Sequence, residues 1–261
     1  MKTTFLVSCC LPTLRRRAFT RVELLATVVA LLMLTALALP MLGATPARSK
    51  LAQCFNNLRQ VGRASLMWAS EHNDKFPWQV RAVDGGLNNL DGGSPISVNP
   101  FIHFAYMSNE LATPQVLVCP SDPVKKVAKD FSSSSDGGFK HVTYQNSAQS
   151  YFVGLDAAME RPKTMLSGDR NLRISRNKTC GAVSVPATSL NGHDPGLDFT
   201  NGVHRLYGQI GLADGSVEGG SGDLLRTLTL NSGEPIDFGA IGGPSPSNDI
   251  LVPGLPTVIS E

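Results

Sequence analysis

From Leu24 to Ala47 the chain carries no charge and is mostly apolar. Such a run predicts a helix able to cross a bilayer, because about 20 residues rising about 1.5 Å each span the hydrocarbon. From Arg48 the pattern becomes two-sided. Leu51, Cys54, Leu58, Val61, Ser65, Trp68 and His72 recur at spacings of three and four, and Phe55, Gly62, Leu66 and Ala69 widen that face. Arg48, Lys50, Asn56, Asn57, Arg59, Gln60, Arg63 and Glu71 fall on the opposite side. Asn73-Asp74-Lys75-Phe76-Pro77 supplies the stop, since the residue before a proline is pushed out of the α region. The apolar run and the two-sided stretch therefore read as one helix ending at His72.

Beyond it the pattern shortens. Ala82–Pro100 is rich in turn residues and reads as a surface loop; its Asp84–Asp91 stretch lacks EF-hand spacing and is explained by turn chemistry. Phe101–Leu111 is a short helix, Val116–Asp122 an apolar run ended by a turn, and Val124–Gly138 a charged, serine-rich loop. Short strands are predicted at Thr143–Gly154, Thr164–Gly168, Gly181–Val185 and Gly208–Ala213. Asp214-Gly215 signals a type I′ hairpin turn, and Ser221–Leu230 a small helix with Ser221 as its cap. From Asn231 the tail is rich in Pro, Gly and Ser without a period, and is expected to be extended or partly disordered.

Charge sharpens the N-terminal reading. The chain has 23 basic and 21 acidic residues, but Lys2 and Arg15–Arg17 precede residue 19 with no acid among them, leaving 19 and 21 beyond it. That cluster predicts a cytoplasmic N-terminus. No basic patch remains to argue for nucleic acid. Glu23, at the head of the apolar run, needs a specific cationic partner if it enters lipid.

Arg15-Arg16-Arg17-Ala18-Phe19-Thr20-Arg21-Val22-Glu23-Leu24-Leu25 resembles the prepilin cleavage and methylation motif of type IV pilins and type II secretion pseudopilins. The resemblance implies a leader at 1–18, cut between Ala18 and Phe19 by a prepilin peptidase, and methylation of the new Phe19 amine. Glu23 falls at the fifth mature position, where it would pair with that amine on a neighbouring subunit, and Pro40 lies where pilins carry a helix-bending proline. Ala18 replaces the usual glycine and Arg21 a usual apolar residue. Three further stretches are similar to pseudopilin-like proteins of planctomycetes and verrucomicrobia. They are Cys54–Trp68 with Phe76-Pro77, then Cys119-Pro120-Ser121-Asp122, then Ser167-Gly168-Asp169-Arg170-Asn171. The same proteins carry an H-X9-DG motif, matched here by His204, nine intervening residues and Asp214-Gly215.

The expected architecture is thus α+β and pilin-like: a long N-terminal transmembrane and spine helix packed on a small antiparallel sheet with long loops. Residues 19–74 form the helix, kinked at Pro40, with 19–47 transmembrane and 48–74 an amphipathic spine; 75–230 form the globular domain and 231–261 the tail. The expected protein is a structural subunit of a type II secretion or type IV pilus-like envelope filament. It would sit single-pass in the inner membrane with a periplasmic globular domain, partnered by prepilin peptidase and by pilin-like subunits of the same or another kind. The competing reading takes Arg16-Arg17 as a twin-arginine export signal, with Ala36-Leu37-Ala38 cut to release a soluble binding protein or enzyme starting at Leu39. A lipoprotein box at Leu6-Val7-Ser8-Cys9 is discounted, because too short an apolar core precedes the cysteine.

Catalytic signatures are missing. No G-x-S-x-G, H-E-x-x-H or phosphate-cradling glycine loop occurs, and His103, His141, His193 and His204 are scattered, so no enzyme and no cofactor is expected. His204 and Asp214 are too few to hold zinc without partners; His193-Asp194 or Asp169 would serve only if the fold brought them near, and no metal is expected. Of five cysteines, Cys9 and Cys10 leave with the leader; Cys54–Cys119 is the favoured disulfide and Cys119–Cys180 the alternative.

Overall fold

The computed structural model describes residues 20–42, 46–88, 99–173, 188–190, 195–231 and 248–252, in two compact units divided between Thr45 and Pro46. The cleavage positions Ala18 and Phe19, the third mature cysteine Cys180, His193-Asp194 and the expected strand at 181–185 lie outside the described residues.

The first unit contains α1 (Arg21–Leu42). Its start is a capping box: Thr20 Oγ1 accepts the Glu23 N–H at 3.2 Å, while Glu23 Oε2 accepts the Thr20 N–H at 2.9 Å and its hydroxyl at 3.0 Å. Thr27 and Thr35 turn their hydroxyls onto the carbonyls of Leu24 and Leu31, so neither interrupts the apolar surface with an unsatisfied donor. Side chains 21–36 are all exposed. Pro40 falls inside α1, close to its end.

The expected single helix from Phe19 to His72 is corrected. α1 and α2 (Pro46–Glu71) are separate helices in separate units. Pro46 opens α2 at a first-turn position, where its missing N–H is harmless; the same missing donor keeps it from carrying a helix forward from α1. Nor is any helix, among the described residues, long and apolar enough to cross a membrane. α1 opens with Arg21 and Glu23 in its first turn, and charges there are expensive in hydrocarbon. This stands against the transmembrane half of a spine helix and against the single-pass inner-membrane placement. Among the described residues the fold is mixed α/β, with a small antiparallel sheet and no N-terminal spine helix.

In the second unit, α2 buries the face that its spacing selects: Cys54, Leu58, Val61, Ala64, Ser65, Trp68 and Ala69 are buried, while Lys50, Arg59, Arg63 and Glu71 are exposed. The sheet it covers comprises β1 (Tyr151–Gly154), β2 (Met165–Asp169), β4 (Thr188–Leu190), β6 (Gly208–Leu212), β7 (Val217–Gly220) and β8 (Asn248–Leu251). Their order is β4-β8-β1-β2-β6-β7, with every pairing antiparallel. β3 (Leu172–Arg173) and β5 (Asp198–Phe199) pair separately.

Alternation along the strands divides the core. Tyr151, Val153 and Leu166 join α2 and the Phe76, Trp78 and Phe104 rings on one face. Phe152, Met165, Ile210 and Leu212 pack on the other with Leu225 and Leu228 of α5 (Gly222–Asn231). Three expectations change in detail. Residues 143–148 are a turn followed by a 3-10 turn at Gln145–Ala148, and the strand begins only at Tyr151. Phe101–Leu111 divides into α3 (Pro100–Tyr106) and α4 (Ser108–Leu111). Within the C-terminal tail, β8 is seated between β4 and β1 with Ile250 buried.

The β6–β7 hairpin also differs from the type I′ expectation. Gly215 alone has positive φ, +79°, with its N–H on Leu212 O at 2.9 Å and the Leu212 N–H on Ser216 O at 2.8 Å. This is a three-residue loop closed by a left-handed glycine. The loop tip rests on α2, where a Cβ added at Gly62 would lie 3.3 Å from Gly215 Cα. Helix and hairpin approach this closely because both positions lack a side chain.

Candidate functional site

Cys54, Cys119, Asp122, Asp169, Arg170, Asn171 and His204 come together beside α2, at the C-terminal end of β2. Cys54 on α2 is disulfide-bonded to Cys119, which follows the 3-10 turn Pro114–Leu117. The same junction is held by Asn57 Nδ2, which donates to Val118 O at 3.0 Å, and by the Ser150 N–H on Leu117 O at 2.8 Å. Tyr151 donates its hydroxyl to Cys54 O at 3.4 Å.

Three consecutive residues after Gly168 do three separate jobs. Asp169, fully buried, accepts the Gln209 N–H on Oδ2 at 2.8 Å. Arg170 forms a two-pronged pair with Asp122, Nε to Oδ2 at 2.6 Å and Nη2 to Oδ1 at 2.7 Å, with side chains 6 % and 0 % exposed. Asn171 clamps both ends of the loop that carries His204, donating to Thr200 O at 2.9 Å and Tyr207 O at 3.2 Å. The two short motifs Cys119–Asp122 and Ser167–Asn171 are thus halves of one buried junction.

His204 turns into it. Its Nε2 lies 3.2 Å from Cys119 Sγ and 3.7 Å from Asp169 Oδ2, with the side chain 5 % exposed. Arg205 and Leu206 directly after it take φ of +50° and +62°, a left-handed pair rare without glycine, which folds the loop back so that the imidazole points inward. The far end of the H-X9-DG motif has other partners: Asp214 Oδ1 accepts the Ser216 N–H at 2.8 Å and Oδ2 meets Lys163 Nζ at 3.2 Å. His204 and Asp214 therefore serve two places, a buried junction and a hairpin tip.

Electrostatics follow from burial. Desolvation pushes Asp169 up to about 7; the Gln209 N–H resists, Asp122 adds to the rise and Arg170 opposes it. Burial lowers His204 against the pull of Asp122. Desolvation, then the Arg170 guanidinium, brings the half-buried Lys125 down to about 7, against Asp122. Its Nζ donates to Asn146 O at 2.8 Å.

Lys125 gives a pH signature. Between about 7 and its ordinary 10.5 the unfolded chain holds a proton there that the folded chain releases. Stability should therefore rise with pH across that window and be lost as pH falls through 7, by at most about 1.4 kcal/mol per unit. Urea titrations from pH 7 to 9 should show this slope in the wild type and a flatter one in Lys125→Met; equal slopes would refute the assignment.

Sequence reasoning missed the Asp122–Arg170 pair, the role of Lys125 and the Asn171 clamp. It also missed the Thr20–Glu23 cap, although Thr-x-x-Glu is itself a readable signal. No family model, no curated protein and no solved structure matches the chain.

Proposed function

We propose that this chain is a structural, non-catalytic pilin- or pseudopilin-like subunit, cut between Ala18 and Phe19 and assembled through its N-terminal helix into a type II secretion or type IV pilus-like filament. The observation that carries the reading is α1: an apolar helix with side chains 21–36 all exposed, whose single acid stands in its first turn. A surface of that kind is stable in water only when covered, and copies of the same helix are a fitting cover. Glu23 caps its own helix through Oε2. Its charge remains available to attract the methylated Phe19 amine of the next copy, so that pairing selects register. The Cys54–Cys119 disulfide suits the oxidising surroundings such a filament meets. The motif residues of the second unit support this reading by acting as scaffold: Cys119 ties its segment to α2, Arg170 pairs with Asp122, and Asn171 clamps the loop of His204.

Two measurements test the reading. Mass spectrometry of protein from cells should find N-methyl-Phe19 as the first residue; a chain beginning at Leu39 would instead identify an exported soluble protein. Glu23→Gln retains a side chain able to cap through Thr20 while removing the charge. The variant should be processed normally and yield at least tenfold less filament. Wild-type yield would mean that Glu23 only caps its helix.

A further inference from the structure

We propose that the junction at Cys54 and Cys119 is also a metal site: with the disulfide reduced, both thiolates, His204 Nε2 and the Asp169 carboxylate bind one zinc-type divalent cation. This inference is independent of the filament reading, since every ligand lies in the second unit and none in α1.

The ligand atoms of Cys54, Cys119 and His204 lie within 4.8 Å of one another, and Asp169 Oδ2 is 3.7 Å from the imidazole nitrogen. A tetrahedral zinc with sulfur at about 2.3 Å and nitrogen or oxygen near 2.0–2.2 Å sets its ligand atoms about 3.3–3.8 Å apart. The three grouped atoms approach that spacing once the S–S bond opens, and Asp169, which lies beside His204 but outside that group, must move in to complete the set. Two sulfurs, an imidazole and a carboxylate form a donor set that zinc accepts, and their burial closes the site as structural zinc sites are closed.

Asp169 supplies a second, independent pointer. Its Oδ1 is buried and has no hydrogen-bond partner among the described residues, while Oδ2 is fixed by Gln209. An orphaned buried carboxylate oxygen costs free energy, and a cation beside it removes that cost. The supporting shell is in place as well: Asn171 clamps the His204 loop, and the left-handed pair Arg205-Leu206 aims the ring.

The chemistry balances with a phosphine as reductant. The phosphine leaves as its oxide, with oxygen taken from water, and two thiols replace the S–S bond. Binding of the divalent ion then expels the two thiol protons.

The test uses the full chain, reduced by a phosphine without oxygen and titrated with Co²⁺. One equivalent should produce a thiolate-to-cobalt charge-transfer band and the strong visible bands of a tetrahedral ion, both bleached by Zn²⁺; oxidised protein should show neither. His204→Ala and Asp169→Asn should each weaken Co²⁺ binding by at least ~10-fold, the lower end of what even supporting residues contribute. Should reduction loosen the fold, stoichiometric Zn²⁺ should restore the native circular dichroism in the wild type and not in His204→Ala. The proposal is overturned by absence of the charge-transfer band, by a band surviving the Cys54→Ser/Cys119→Ser double variant (which would belong to Cys9, Cys10 or Cys180), or by undiminished affinity in either ligand variant.

Discussion

Arg170→Met should lower the unfolding free energy by roughly 3–5 kcal/mol, because it strands the Asp122 carboxylate in the interior. The Asp122 side chain is 0 % exposed and also accepts the Val124 N–H at 3.2 Å. Methionine fills much of the lost volume, so the penalty is electrostatic rather than a cavity. Asp122→Leu combined with Arg170→Met should recover most of the loss, since an apolar pair of similar size is often as stable as a buried ion pair. Urea titration of the four proteins gives the coupling directly. A single-variant loss below about 1 kcal/mol, the range of an exposed pair, would mean that water reaches the junction. Lys125 makes the test more stringent: with Arg170 gone, one repulsive neighbour is lost and the attraction of Asp122 is less opposed, which should raise its pKa and flatten the alkaline slope.

What could be read ahead of the structure was what repeats locally. The buried face of α2 was legible because Cys54, Leu58, Val61, Ser65 and Trp68 return every three or four residues, and nothing distant is needed to see it. β1, β2 and β6 were legible as short apolar runs between turn residues. β8 was not: Ile250 and Leu251 stand in a stretch of Pro, Gly and Ser, and only the neighbours on either side make a strand of it. The Asp122–Arg170 pair joins residues 48 positions apart, and neither carries a local sign that it will be buried. The hairpin at Asp214-Gly215 was recognised, but its turn type depends on which residue takes positive φ, and contact with Gly62 of α2 enters that choice. At the N-terminus the apolar run was read as one half of a long helix. Pro40 is read there as a kink within one helix, whereas the structure has two helices, the second opening at Pro46. Glu23 was likewise read for a distant partner before its near one, Thr20.

Replacing both Cys54 and Cys119 with alanine should destabilise the protein by about 4 kcal/mol, the loop-closure entropy of a link spanning 65 residues. That effect belongs mainly to the unfolded chain. In the folded state Asn57 still reaches Val118 O, the Ser150 N–H still reaches Leu117 O, and Tyr151 still reaches Cys54 O, so α2 and the Cys119 segment remain joined without the sulfur bridge. The expected signature is therefore specific. The urea midpoint should fall and the m-value rise, because an uncrosslinked denatured chain exposes more surface. Near-ultraviolet circular dichroism and amide protection at Ser150 should be retained in the absence of denaturant. A fall in stability with an unchanged m-value and lost protection at Ser150 would place the effect in the folded state. The disulfide would then be what positions α2 against the sheet, and the hydrogen bonds around it would depend on it.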